Sequence, residues 1–121
     1  MSRRSERVSE AIRREASLLI KDEVRDPRIG FVTVTKATIT EDLRNAVIYY
    51  SVLGDDKAKS LAKKGLSSAV NYMKTELGHR IKLRYTPDIR FKEDKTFEHA
   101  ERIEAALKKI KEEKMEDRNA H

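Results

Sequence analysis

The side chains best suited to catalysis or metal binding are few, and their spacing is wrong for either. Three histidines occur, His79, His99 and His121. None stands at a ligand spacing from another, such as H-E-x-x-H. Glu98 and Glu101 flank His99 at i−1 and i+2, positions that do not share a helix face. Serines are present without a G-x-S-x-G turn, and neither G-x-x-x-x-G-K-[ST] nor G-x-G-x-x-G occurs. Cysteine is absent, which removes disulfides, Cys–zinc sites and thiol nucleophiles. Asp55-Asp56 reads as a helix cap, and Asp88 and Asp94 read as solvated acids beside a strand. The expectation is a protein that is not an enzyme, with no catalytic residues, no metal and no cofactor.

The remaining chemistry is that of cations. The 121 residues hold 27 Lys+Arg against 21 Asp+Glu, a net charge of +6. The surplus is local: residues 57–92 carry 10 basic and 2 acidic groups, whereas 29–56 carry 2 and 4. A concentrated positive field attracts polyanions. Lys63, Lys64 and Lys74, with Asn71 among them, fall on a polar helix stripe; His79, Arg80, Lys82 and Arg84 follow toward the next strand. These residues are the expected RNA-binding surface, with Arg3, Arg4 and Arg7 as a second contact. Residues 93–121 carry 7 basic and 9 acidic groups, so the tail from Lys111 is expected to add little.

The elements that must position these side chains follow from periodicity. Val8, Ala11, Ile12, Ala16, Leu19 and Ile20 recur at helical spacing, which predicts a helix from Glu6 to about Val24, capped by Ser5 and ended by Asp26-Pro27. Two β-branched runs, 31–39 and 46–53, predict a hairpin with a polar loop. Asp55 or Asp56 caps a helix over about 57–80 with Leu61, Ala62, Gly65, Leu66, Ala69, Val70, Met73 and Leu77 on its apolar side. Gly65 costs about 1 kcal/mol there relative to Ala, a sign of close packing. Asn71 tolerates the left-handed conformation, which predicts an interruption over Ala69, Val70 and Asn71. Freed N–H groups at such a break can take a phosphate oxygen. Leu83, Tyr85, Ile89 and Phe91 alternate with polar residues, predicting a third strand over 83–92. Thr96 caps a last helix with Phe97, Ala100, Ile103, Leu107 and Ile110 as its stripe, and the chain frays from Lys111.

The expected architecture is α+β: α-β-β-α-kink-α-β, a three-stranded sheet with helices on one face, plus a C-terminal helix. One domain over 1–110 and a polar tail over 111–121 account for the chain. No apolar run approaches the ~20 residues of a bilayer span, and no apolar stretch follows the first residues, so neither a membrane span nor a secretory signal is expected. The protein is expected to be a cytoplasmic monomer. The layout is that of a KH module, which clamps a nucleic-acid backbone. Its G-x-x-G marker is missing, because Gly30, Gly54, Gly65 and Gly78 are never three apart. The stacking motif of an RRM is also absent.

Several separated blocks resemble the bacterial ribosome-binding factor A family. They are Asp26-Pro27-Arg28-Ile29-Gly30-Phe31-Val32-Thr33-Val34-Thr35, then Asp42-Leu43, Ala46 and Ser51-Val52-Leu53-Gly54-Asp55. Further on come Glu76-Leu77-Gly78-His79-Arg80, Leu83-Arg84, Pro87-Asp88-Ile89, Phe91 and Asp94. The resemblance covers about residues 3–110. It implies a KH fold and a non-catalytic assembly factor that binds the free small ribosomal subunit near its decoding region. It further implies help with late maturation and processing of small-subunit ribosomal RNA, growth in the cold and an association with ribosome-assembly GTPases. The family replaces the G-x-x-G loop by an Ala-x-Gly kink; Ala69-Val70-Asn71 stands at that place, with Asn71 for the glycine. Two other functions suit the same fold, a protein–protein adaptor and a DNA-binding module. RNA binding weakens steeply with salt, which separates it from apolar docking; competition with duplex DNA separates the other.

Overall fold

The computed structural model describes the chain from Ser2 to Asn119, apart from the side chains of residues 97–103 and 115–119. Its elements are α1 (Arg3–Asp22), β1 (Val32–Ile39), β2 (Asn45–Val52), α2 (Asp56–Arg80), β3 (Asp88–Glu93) and α3 (Lys95–Asn119). The strands form one sheet in the order β1-β2-β3. β1 and β2 pair antiparallel, with a bulge between Val34 and Lys36. β2 and β3 pair parallel, so α2 is the crossover that parallel neighbours require. The expected α+β, KH-like layout is the one found, with α1 and α2 packed on one sheet face.

α1 begins earlier than expected. Ser2 is the cap, its Oγ accepting the Ser5 N–H at 3.1 Å. Ser5 is buried inside the helix and donates its hydroxyl to the Ser2 carbonyl at 2.9 Å, so it is not the N-cap. The helix also ends at Asp22, well short of Pro27: the Glu23 and Val24 N–H groups both donate to the Leu19 carbonyl. Val8, Ile12, Ala16 and Leu19 are buried against the sheet, as their spacing predicts.

α2 corrects a larger expectation. Every residue from Asp56 to Arg80 is α-helical, and the interruption expected over Ala69, Val70 and Asn71 is not there. Asn71 is exposed, and Leu43 is the one non-glycine with positive φ among the described residues. The reason is phase. At 100° per residue, Ala62, Leu66, Met73 and Leu77 fall within about 60° of arc, and all four are buried. Burying each larger side chain contributes about 1.5–3 kcal/mol, whereas Gly or Asn costs at most about 1 kcal/mol in a helix. A break at Asn71 would rotate Met73 and Leu77 away from the core, so the straight helix wins. Asp55 caps it as expected, accepting the Ala58 N–H at 2.9 Å. Gly65 has the close packing its position implied: a Cβ there would stand 2.7 Å from Ile29 Cγ1 and 3.3 Å from the Ile29 nitrogen.

β3 spans Asp88–Glu93, half of the expected 83–92. Leu83 and Tyr85 lie in the irregular segment before it, and Tyr85 is 53% exposed. Pro87 has no N–H to give to a ladder, and pairing starts immediately after it, with the Asp88 N–H donating to the Arg44 carbonyl at 2.8 Å. α3 is capped by Asp94, not Thr96: Asp94 Oδ1 accepts the Thr96 N–H at 3.1 Å. The helix continues through Lys111, where the sequence predicts fraying, to Asn119. Leu107 and Ile110 are exposed. The rest of the expected stripe, Phe97, Ala100 and Ile103, lies outside the described residues.

Candidate nucleic-acid interface

The polar stripe of α2 is real. Lys63, Ser67, Asn71 and Lys74 share about 80° of arc on the helix, and Lys63, Lys64 and Asn71 are exposed. The stripe lies outside the arc that carries the buried Ala62, Leu66, Met73 and Leu77. Lys63 also lines a shallow cavity of about 550 Å³ with Lys36, Tyr49 and Lys92. Lys36 Nζ sits 4.6 Å from the centre of the Tyr49 ring.

The other expected residues divide. Lys74 Nζ donates to Asp88 Oδ1 at 2.5 Å, so its charge is opposed at one side. Arg80 lies roughly opposite Asn71 around the helix and faces α1. It pairs with Glu15 at 3.2 Å and with Glu23. Those bonds, Glu15's first, hold the guanidinium above its ordinary pKa. Tyr72 donates its hydroxyl to the same Glu23 at 3.0 Å. Arg80 is therefore a structural cation at the α1–α2 seam and stands apart from the stripe. His79 and Lys82 are exposed near the end of α2, and Arg3 and Arg7 are exposed on α1. His99 and His121 lie outside the described residues.

Arg4 and Arg84, expected in two separate contacts, meet at one place. With Arg44 and Tyr85 they line a cavity of about 350 Å³ at the tip of the β1–β2 hairpin, which Glu41 and Asp42 also border. The Arg44 and Arg84 guanidinium carbons lie 4.8 and 5.5 Å from the centre of the Tyr85 ring. Arg44 and Tyr85 were not among the expected residues. Arg44 was hidden inside a segment of net negative charge, and Tyr85 inside an apparent strand; the Pro87 that ends that segment was the available signal.

Among the described residues no three of His, Cys, Asp and Glu come together as a metal site, and no helix is long and apolar enough to cross a membrane. The fold and its exposed cations define a class, the small KH-like α+β domains with a basic helix face turned away from the core. Within it, the model of the family described as ribosome-binding factor A matches residues 4–107, and the chain belongs to that family. A ribosome-binding factor A of Geobacter sulfurreducens is 44% identical over 117 residues, 97% of this chain and 99% of that protein. The crystal structure of ribosome-binding factor A from Thermus thermophilus superposes with a TM-score of 0.65 at 20% identity, covering 74% of this chain and 94% of that one. A homology model of the Thermus thermophilus ribosome binding factor A, fitted into the cryo-EM map of its 30S complex, gives 0.56 at 20% identity over 79% and 97% of the two chains.

Proposed function

We propose that this protein is a non-catalytic assembly factor of the free small ribosomal subunit. It binds the subunit's RNA through the exposed face of α2 and assists late maturation and processing of that RNA. The observation that carries the reading is the family match over residues 4–107. The exposed Lys63 and Lys64 on the polar face of α2 add the physical means. The complex named for the Thermus thermophilus relative supports the small subunit as the partner. The reading includes a cytoplasmic monomer that acts alongside ribosome-assembly GTPases.

The test is co-sedimentation with free small subunits and with assembled ribosomes over a range of salt. Binding to free subunits alone is expected. Four or five phosphate contacts give a slope of log affinity on log salt of roughly −3 to −4, at ~0.7–0.9 per contact. Lys63→Glu with Lys64→Glu should weaken binding and flatten that slope while the fold is kept. A folded double variant with unchanged affinity and slope would sink the assignment of this face.

A further inference from the structure

We propose that the cavity at the hairpin tip is an arginine clamp for a phosphate of the bound RNA, with Arg44, Arg84 and Arg4 as its donors and Tyr85 as the residue that orients the first two. The proposal rests on the RNA-binding reading above and extends it to a second site. Three separate stretches of chain supply the cations: Arg4 from the first turn of α1, Arg44 from the hairpin, and Arg84 from the segment before β3.

What distinguishes these arginines is the manner of their restraint. Arg13, Arg28 and Arg80 are each held by a carboxylate, which neutralises their charge within the protein. Among the described residues no ion pair involves Arg4, Arg44 or Arg84. Arg44 and Arg84 are held by the ring of Tyr85, at 4.8 and 5.5 Å. A cation held against an aromatic face is fixed in place yet keeps its charge and its N–H donors. A planar guanidinium so fixed matches the oxygens of a phosphate in pairs.

The backbone beneath Arg44 is equally constrained. Asp42 Oδ1 accepts the Thr40 hydroxyl at 2.5 Å and the Arg44 N–H at 3.1 Å. Thr40 Oγ1 accepts the Asn45 N–H at 3.1 Å. Leu43 is held at φ 61 with its side chain against the core. A positive φ is uncommon for a bulky residue and persists only where its surroundings enforce it. The two acids at the cavity are outnumbered by three arginines, and Asp42 is already committed to the loop.

The occupant follows from continuity. Asp88 donates its N–H to the Arg44 carbonyl and accepts Lys74 Nζ on its carboxylate. The clamp therefore adjoins the lower end of the α2 stripe, and one RNA strand lying along α2 reaches both.

The experiment measures affinity for purified free small subunits against salt, with thermal melting of every variant. Arg44→Gln with Arg84→Gln should cost about tenfold in affinity and flatten the slope by roughly 1.4–1.8, two contacts' worth. Tyr85→Ala should weaken binding severalfold with the slope unchanged, because charge is kept and orientation lost, and Tyr85→Phe should bind as wild type. If Tyr85→Ala does not fold, Arg44→Lys with Arg84→Lys serves the same purpose: the charge stays, the planar fork goes, and affinity should fall at constant slope. Wild-type affinity and slope in the folded Gln double variant, alongside weakened binding by Lys63→Glu with Lys64→Glu, would overturn the clamp and leave the RNA-binding reading standing. Lost affinity at constant slope in the Gln double variant would overturn the phosphate in favour of an uncharged or protein contact. Absence of wild-type binding to free subunits would defeat the underlying reading, and the clamp with it.

Discussion

The seam between α1 and α2 and the tip of the β1–β2 hairpin both hold arginines in place, by opposite means. At the seam, Arg80 bridges Glu15 and Glu23 and its charge is consumed within the protein. At the tip, Arg44 and Arg84 lean on Tyr85 and their charge stays available. Both arrangements fix a flexible side chain. The difference shows that a count of cations measures the field of a protein but not the number of groups offered to a partner. Of the residues expected over 63–84 to contact RNA by charge, Arg80 belongs to the fold and Lys74 is half-engaged by Asp88.

α2 packs most tightly elsewhere, where Gly65 meets the turn after Pro27, and the sharpest way to break the fold that both regions depend on is steric. Gly65→Val should place methyl groups inside the contact with Ile29, whose nitrogen already lies 3.3 Å from a Cβ at this position. The side-chain end of Ile29 can move; its backbone cannot without displacing the turn after Pro27. Overpacking of this kind costs about 1–3 kcal/mol, which outweighs the gain of about 1 kcal/mol or less from replacing glycine in a helix. Urea denaturation should show a lower midpoint. RNA binding by the fraction still folded should keep its salt slope, because the tip is untouched.

Removing Arg80 separates the two kinds of arginine directly. Arg80→Gln removes the cation shared by Glu15 and Glu23 and leaves Glu15 with Arg14, at 3.7 Å, so the thermal midpoint should drop. Its salt slope for small-subunit binding should equal that of wild type, in contrast with the flattening expected from the paired change at Arg44 and Arg84. A flatter slope for Arg80→Gln would mean that the seam opens on binding.

Much of this molecule was legible in the sequence, and what was missed has a common cause. Val8, Ile12, Ala16 and Leu19 announced α1, and the β-branched runs announced β1 and β2, because a face that must be buried leaves a period. Gly65 announced a close approach. Asn71 misled: a residue that tolerates a kink does not impose one, and burial of Met73 and Leu77 on the far side settled the matter. Tyr85 misled because alternation over Leu83, Tyr85, Ile89 and Phe91 let Pro87 read as an edge or a bulge within the strand, whereas its missing N–H delays the strand to Asp88. The pairing of Arg80 with Glu15 joins residues 65 apart in the chain, and local spacing carries no record of such a contact. Arg4, Arg44 and Arg84 converge for the same reason, through tertiary structure alone.

Lys74 is the intermediate case, and Asp88 decides how far it counts as available. The pair is exposed, with side-chain exposures of 36% and 73% for Lys74 and Asp88, so it contributes little to stability. Asp88→Asn should leave the melting temperature almost unchanged while it releases the ammonium group. Affinity for small subunits should then rise a few-fold and the salt slope steepen by up to about 0.7–0.9, one contact's worth. The same change relieves repulsion between Asp88 and any phosphate near Arg44. An unchanged slope would show that Lys74 already reaches the RNA past its partner.

The smallest effect concerns acids, and it sharpens the same contrast between charge used inward and charge offered outward. Asp94 at the root of α3 is held below the usual carboxylate range, first by the Thr35 hydroxyl, which donates to Oδ2 at 2.6 Å, and then by the Thr96 N–H. Asp42 at the hairpin tip is lowered in the same direction, first by the Thr40 hydroxyl and next by the Arg44 N–H. A carboxylate whose folded pKa is depressed contributes stability above its unfolded value, near 3.9. That contribution is lost as pH falls through the folded value. Neither group therefore changes stability between about pH 6 and 8, and both weaken the fold only at the acid end. Asp94→Ala should melt slightly below wild type at neutral pH, since Thr35 loses its partner and α3 loses an acid at its N-terminus. The gap should close as wild type itself takes up the proton below about pH 4. Thermal melts of both proteins from about pH 7 down to about pH 2.5 check this, and a gap that stays constant over the range would mean that the Asp94 charge contributes nothing to the junction between β1 and α3.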